Sequence, residues 1–221
     1  RGLGDVYKRQ AETAQLLRDR KSRALLHCDA VQGFLKVPCD PEGWGVDMMS
    51  LSAHKLGGPK GAGALYISER FRNVRPLLPG GGQEGGLRSG TEATAQIAGF
   101  ARAVALRQEN LAEKLRHMAD IKAYCREKLL SIPGVVPVGQ GEAPHILAVS
   151  LVGYPSANIV TDLGAKGICI SAGSACHRGK ASHVVSALHL DKKTAAGVIR
   201  VSFGPETTRA DIDGLYQALL D

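Results

Sequence analysis

Short apolar runs alternate with polar segments along the first half of the chain. Residues 24–31 (ALLHCDAV), 46–54 (VDMMSLSAH) and 63–68 (GALYIS) each have the composition of a buried strand, and a polar, helix-compatible segment at residues 11–22 precedes them. Glycine and proline between the second and third runs predict a tight turn. Strands that alternate with helical segments are typical of an α/β sheet.

The pattern changes in the second half of the chain. From Thr91 to about Leu130 apolar residues recur three and four positions apart, which predicts one long helical element that links two domains. Beyond it we predict a final helix from about Arg209 to Leu220, preceded by four strands in the segments GVVPVG, HILAVSLVG, GICISAG and VIRVSFG. These elements are expected to form a smaller α+β domain.

The predicted domains are residues 11–105 and residues 106–221. Residues 1–10 show neither helix nor strand periodicity, and we expect them to be disordered or foreign sequence. Because the chain begins with Arg1 rather than Met, it is expected to start within a longer protein.

Composition narrows the class of protein. Hydrophobic residues make up 44% of the 221 positions, which is enough for a core, and no apolar run reaches the roughly 18–20 residues of a membrane span. We therefore expect a cytoplasmic protein with no membrane partner. The net charge is +7, but the basic residues are scattered and aromatic residues are only 5%, so no direct nucleic-acid binding is expected. Five cysteines without a C-x-x-C pair argue against a disulfide framework and against a metal site.

Lys55 lies between a predicted strand and a glycine-rich turn in the segment SLSAHKLGGPKG (50–61). A lone lysine at a strand end is usually a solvated charge. Ser52 and His54, however, offer donors suited to an anion, and the glycines that follow allow a ligand to approach the backbone. The Walker pattern of a nucleotide-binding loop is not present.

Asp29 ends another predicted strand in the segment HCDAVQG, three residues before Gln32. Taken alone, its carboxylate is best interpreted as the N-cap of a following helix. Together with Lys55 it favours a second interpretation, because pyridoxal phosphate needs a lysine for its Schiff base and an acid against its pyridine nitrogen. The residues alone leave both interpretations open.

Cys176 lies in the segment ISAGSACHRGK (170–180), among small residues that predict a loop. The neighbouring His177, Arg178 and Lys180 would favour its thiolate, which is the nucleophilic form. The competing interpretation is a buried structural thiol, which we expect for Cys169. Cys176 is therefore a candidate reactive thiol on a mobile loop.

Five segments together resemble the cysteine desulfurase family, in the class V aminotransferase group of pyridoxal-phosphate enzymes: HCDAVQG, SLSAHKLGGPKGAGALYI, GGGQEGGLRSGT, SAGSACHRG and IRVSFGPETT. The match runs from about Leu25 to the C-terminus in the order of the family. The elements H-x-D-A-x-Q, S-x-H-K-x-x-G-P-K-G and R-S-G-T identify the wider class, and G-S-A-C distinguishes the desulfurases. The resemblance implies an α/β protein of fold type I, with the C-terminal part of the large mixed-sheet domain followed by a small α+β domain.

The resemblance also implies how a bound pyridoxal 5'-phosphate would be held. Lys55 would carry the cofactor as a Schiff base, Asp29 would pair with the pyridine nitrogen, and Gln32 would hydrogen-bond the ring hydroxyl. Ser52 and His54 would hold the phosphate. Family members are substantially longer, so the chain is similar to a C-terminal fragment that lacks other parts of the cofactor site.

The remaining implied roles concern the substrate and the partners. Thr91 would complete the phosphate site of the neighbouring subunit in a homodimer. Arg200 would bind the carboxylate of L-cysteine with its planar fork, and the alternative for this residue is a structural salt bridge. Cys176 would take the sulfur as a persulfide, releasing alanine, and pass it to an iron–sulfur scaffold or another acceptor protein.

Two other functions stay open at this point. One is a related class V lyase that acts on selenocysteine or cysteine sulfinate. The other is a non-catalytic interaction protein on the same fold, which the missing segments favour and the presence of Lys55 and Cys176 opposes.

Overall fold

The protein, seen here in a computed structural model, forms two compact units. The structure describes residues 9–71, 74–139, 141–172 and 183–221. The first unit ends at Leu111, and the second extends from Ala112 to Asp221. Within the described ranges, no helix is both long and apolar enough to span a membrane.

The first unit is built on a small mixed sheet. Its elements in chain order are α1 (Arg9–Asp19), β1 (His27–Asp29), α2 (Pro41–Trp44), β2 (Met48–Ser52), a 3₁₀ helix (Ala53–Leu56), β3 (Gly63–Ile67), a second 3₁₀ turn (Gln83–Gly86) and α3 (Thr94–Gln108). Strand β2 lies in the centre, parallel to β1 and antiparallel to β3. One face of this sheet carries a small core of Cys28, Ala30, Val46 and Met49.

The first strand is shorter than its apolar run predicts. The run spans residues 24–31, but β1 covers only His27–Asp29. At Leu26 the backbone N–H donates to the Asp47 carboxylate at 2.8 Å, so a side chain takes the place of a ladder partner just before the strand. A hydrophobic run marks burial, whereas the strand's length is set by which backbone groups find ladder partners.

The second unit packs helices against an antiparallel sheet. Its elements are α4 (Leu111–Leu130), β4 (Val135–Pro137), β5 (Ile146–Leu151), α5 (Ser156–Ala165), β6 (Ser171–Ala172), α6 (His183–Ala187), α7 (Lys192–Ala196), β7 (Val198–Ser202) and α8 (Arg209–Leu220). The strand order is β4-β5-β7-β6. Apolar side chains spaced three and four apart on α4 pack against the sheet and α8, and its buried residues are Met118, Ile121, Cys125 and Leu129.

The predicted long helical element is two helices. Helix α3 ends at Gln108 and α4 begins at Leu111. Asn110, between them, has a φ of 52°, a left-handed conformation that asparagine tolerates better than most residues. Apolar residues recur three and four positions apart on both sides of this break, although only Ala103 is buried on α3, so periodicity alone does not reveal the interruption.

Candidate active site

Asp29 and Ser52 lie at the same edge of the first sheet. Strands β1 and β2 are parallel, so their carboxyl ends coincide, and Asp29 is the last residue of β1 while Ser52 is the last residue of β2. In the register of the two strands Asp29 pairs with Ser50. Open α/β sheets bind their ligands at the carboxyl ends of parallel strands, which makes this edge the candidate site.

Lys55 follows β2 directly, in the 3₁₀ helix Ala53–Leu56. Ala53 and Leu56 are buried and anchor this short helix, whereas Lys55 is half-buried. The ammonium group of Lys55 makes no hydrogen bond or ion pair with any other residue that the structure describes. A half-buried amine without a protein partner suits covalent attachment to a carbonyl ligand.

The glycines after Lys55 serve two different purposes. Gly57 has a φ of 86° and open space where a side chain would project. A Cβ at Gly58 would lie 3.2 Å from the Ala103 Cβ and 3.1 Å from the Ala53 carbonyl oxygen, so this glycine lets α3 pack closely on the turn. Only the first of these positions matches the expectation that the glycines make room for a ligand.

Asp29 does not cap a helix. Its Oδ1 accepts a hydrogen bond from the Val31 backbone N–H at 3.1 Å, which forms a local turn. Residues 31–36 continue as turns, and the next helix begins only at Pro41, where Asp40 accepts from the Gly43 N–H at 2.9 Å. The N-cap interpretation of Asp29 is therefore wrong. The carboxylate is exposed at the sheet edge, and Gln32 is half-buried in the same turn.

Ser52 and His54 are hydrogen-bonded to each other. The distance from Ser52 Oγ to His54 Nδ1 is 2.8 Å, and His54 is exposed. This pairing fixes the imidazole above the end of β2 and leaves Nε2 for an external partner. A hydroxyl and an imidazole held together in this way form a polar end to the site, on the same chain segment as Lys55.

Sequence reasoning missed a second polar pair beside Asp29. His27 Nε2 lies 2.8 Å from Ser50 Oγ, across β1 and β2. Residues two apart on a strand share a face, so His27 and Asp29 face the same side of the sheet, opposite the buried Cys28. The sequence did contain a signal for this pair: in H-x-D two polar residues flank an apolar one, which on a strand puts both polar side chains on the same face.

Two further predicted site residues belong to other segments of the chain. Thr91 is exposed between the second 3₁₀ turn and α3. Arg200 belongs to the second unit, on β7, where it is half-buried and its Nη2 donates to the Ser171 Oγ at 3.4 Å. Cys176 lies outside the described residues.

The donor set around Lys55 fits pyridoxal phosphate. An amine and a carboxylate lie at the carboxyl ends of adjacent parallel strands, with a hydroxyl and an imidazole beside the amine. An aldehyde, a basic ring nitrogen and a phosphate are the groups that such side chains bind.

Known proteins resemble this chain over most of its length. The sequence profile described as "Aminotransferase class-V" matches residues 7–215. The chain is 36% identical to a mitochondrial cysteine desulfurase of Candida albicans over 207 residues, which are 90% of this chain and 42% of that protein. It is also 36% identical to the cysteine desulfurase IscS of Aeromonas salmonicida, over 98% of this chain and 54% of that protein.

The structural comparison agrees with the sequence comparison. The X-ray structure of a NifS-like protein from Rickettsia africae superposes with a TM-score of 0.85 at 30% identity, over 95% of this chain and 56% of that one. The chain thus spans about half the length of the relatives that it matches.

Proposed function

The chain belongs to the class-V aminotransferase family, and on this basis we propose that it is part of a cysteine desulfurase, which takes sulfur from L-cysteine. Its fold is that of the type I pyridoxal-phosphate enzymes, as in the NifS-like structures. The observation that carries the proposal is the position of Lys55 and Asp29 at the carboxyl ends of adjacent parallel strands. The names of the relatives support the choice of substrate.

In this proposal each polar residue at the sheet edge has a defined role. Bound pyridoxal phosphate would supply an electron sink that stabilises a carbanion. Lys55 Nζ would hold the cofactor covalently and then move the substrate's α-proton. The Asp29 carboxylate would keep a proton on the pyridine nitrogen, and Gln32 would orient the ring. Ser52 and His54 would bind the phosphate through Oγ and the imidazole.

The substrate and sulfur steps use residues beyond this edge. Arg200 would bind the substrate carboxylate. The Cys176 thiolate would attack the substrate sulfur, so that the carbon–sulfur bond breaks, a persulfide forms on Cys176, and alanine leaves after taking up a proton. Thr91 would serve the phosphate site of a second copy in a homodimer. The persulfide sulfur would then pass to an iron–sulfur scaffold or another acceptor.

The cellular compartment is part of the same proposal. We propose a cytoplasmic protein, as the sequence predicts, and a mitochondrial location is the alternative because some relatives are named mitochondrial. The domain limits, residues 11–105 for the cofactor part and 106–221 for the part with the reactive cysteine, are proposed in the same way.

The test compares four forms of the protein, in the longest natural polypeptide that contains this chain. After incubation with pyridoxal phosphate and borohydride reduction, mass spectrometry should find the cofactor on Lys55, and Lys55→Ala should carry none. Cys176→Ser should keep the cofactor but transfer no sulfur from L-cysteine to an acceptor. Lys60→Ala is the matched control, since Lys60 is an exposed lysine on the same turn. Cofactor on another lysine, or full sulfur transfer by Cys176→Ser, would overturn the assignment.

The alternatives are separated by the same preparation. Rates measured with L-cysteine, selenocysteine and cysteine sulfinate distinguish a desulfurase from the related lyases. A protein that binds the cofactor on Lys55 but converts none of the three substrates would instead be a non-catalytic relative.

A further inference from the structure

Three sulfur-containing side chains pack together at the buried face of the first sheet. Cys28 on β1 and Met49 on β2 are register partners, so their side chains lie next to each other on one face, and both are buried. The Cys39 Sγ approaches the Met49 Sδ to 3.6 Å from the loop that precedes α2. The proposed desulfurase reaction uses none of these sulfurs.

The surroundings of this sulfur cluster (Cys28, Cys39 and Met49) suit a soft ligand. Apolar side chains pack around it, among them Leu26, Phe34 and Trp44, and the carboxylates of Asp29 and Asp40 are its charged neighbours. Cys28 and Met49 are 5% and 2% exposed, whereas Cys39 is half-buried and gives a path from solvent. Thiolate and thioether sulfur select soft monovalent ions such as Cu⁺ over Mg²⁺ or Ca²⁺, which prefer oxygen.

We infer that Cys28, Cys39 and Met49 form a binding site for a soft monovalent cation, Cu⁺ or its redox-inert analogue Ag⁺. Two thiolates and one thioether would give trigonal sulfur coordination. Among the described residues no three His, Cys, Asp or Glu side chains are grouped to hold a metal. The third ligand is therefore a thioether, which Zn²⁺ rarely uses, and the site should discriminate against Zn²⁺.

Binding must be coupled to the release of protons. Burial, with a smaller contribution from the Asp29 carboxylate, raises the pKa of the Cys28 thiol. Burial, together with Cys28 and the Asp40 carboxylate, raises the pKa of Cys39 to about 11. Both thiols are thus protonated at neutral pH, and one cation replaces two S–H protons as two metal–sulfur bonds form. No electron is transferred, so no oxidant or reductant is needed. Affinity should rise with pH throughout the range below these pKa values.

The experiment is a titration with Ag⁺ in chloride-free buffer. The chain carries Cys169→Ser and Cys176→Ser, which remove the exposed thiol and the candidate nucleophile, and it retains the cluster. We expect one Ag⁺ per chain in native mass spectrometry, a higher melting temperature with Ag⁺, and no binding of Zn²⁺. A ligand that binds the folded state stabilises it, whereas Ag⁺ that binds only thiols exposed on unfolding would lower the melting temperature and overturn the inference.

Variants identify the ligands. Cys39→Ser should weaken binding by at least about 100-fold, since even partners outside the coordination shell cost up to that much. Met49→Leu conserves volume and should weaken binding without unfolding the sheet. Cys125→Ala removes a buried thiol that belongs to the core of the other unit, and this variant should bind Ag⁺ like its parent. Unchanged affinity in Cys39→Ser or Met49→Leu, or lost binding in Cys125→Ala, would overturn the assignment. None of these outcomes depends on pyridoxal phosphate, so the inference and the desulfurase proposal fail or succeed separately.

Discussion

Burial decides what individual cysteines can do. Cys125 is 0% exposed in the core of the second unit, and loss of hydration raises the pKa of its thiol to about 12. Cys169, four residues after the end of α5 at Ala165, is exposed. The expectation of a buried structural thiol at Cys169 is therefore wrong, and Cys125 has that role.

The raised pKa of Cys125 makes stability depend on pH in alkaline solution. In the unfolded chain the thiol ionises near pH 9.0, while in the folded protein it stays neutral until about 12. Its contribution is fully present below pH 9 and is lost as the pH rises toward 12. Between pH 7 and pH 10 we expect the free energy of unfolding to fall more in the parent than in Cys125→Ala, by about 1.4 kcal/mol for one pH unit above the unfolded pKa.

Urea unfolding of the parent and Cys125→Ala at both pH values measures this difference. The other thiols titrate in both proteins and cancel in the comparison. A gap between the two proteins that is the same at pH 7 and pH 10 would contradict the assigned cause.

Helix ends show how local signals specify an element. Helix α8 begins after Thr208, whose Oγ1 accepts from the Asp211 N–H at 3.2 Å, while the Asp211 carboxylate accepts from the Thr208 N–H at 2.8 Å. This reciprocal capping box is readable in the sequence, and the predicted helix from Arg209 to Leu220 is confirmed. The N-cap interpretation of Asp29 failed, in contrast, because turns rather than a helix follow that residue.

The capping box gives an element-scale prediction. Thr208→Ala leaves the Asp211 N–H in the first turn of α8 without its acceptor, and it should lower the free energy of unfolding by about 1 kcal/mol. Thr208→Ser keeps the acceptor and should stay close to the parent. Chemical denaturation monitored by circular dichroism measures both variants. Equal losses in the two would mean that the methyl group, not the cap, provides the stabilisation.

At the scale of the whole molecule, more large apolar side chains are exposed in the first unit than in the second, among the residues that the structure describes. Among the described residues, eight of the eleven large apolar side chains that are exposed belong to the first unit: Leu16, Leu25, Leu65, Leu77, Leu78, Leu87, Ile97 and Leu106. The same unit has a small buried core, and β3 is an edge strand of its described sheet. Exposed apolar side chains on an open edge favour association between chains.

This surface leads to a prediction about solution behaviour. Leu65, on β3, is 52% exposed, and Leu65→Lys places a charge on the open edge. We expect the isolated chain to self-associate with rising concentration and Leu65→Lys to reduce that association, as measured by light scattering. Leu220→Lys is the control, because Leu220 is similarly exposed, at 51%, in the other unit. Equal effects of the two substitutions would show that net charge, rather than the edge, governs association.

The sequence by itself determined the mixed α/β class, the positions of most elements and the likeness to class-V enzymes, since these depend on local periodicity, capping residues and motifs that are contiguous in the chain.

Tertiary structure decided three other matters. Parallel pairing of β1 with β2 put Asp29 and Lys55, 26 positions apart in the sequence, at one sheet edge. Strand register brought His27 to Ser50 and Cys28 to Met49. Packing also set which cysteines are buried. Contacts between residues distant in the chain depend on register and burial, and no local pattern encodes them.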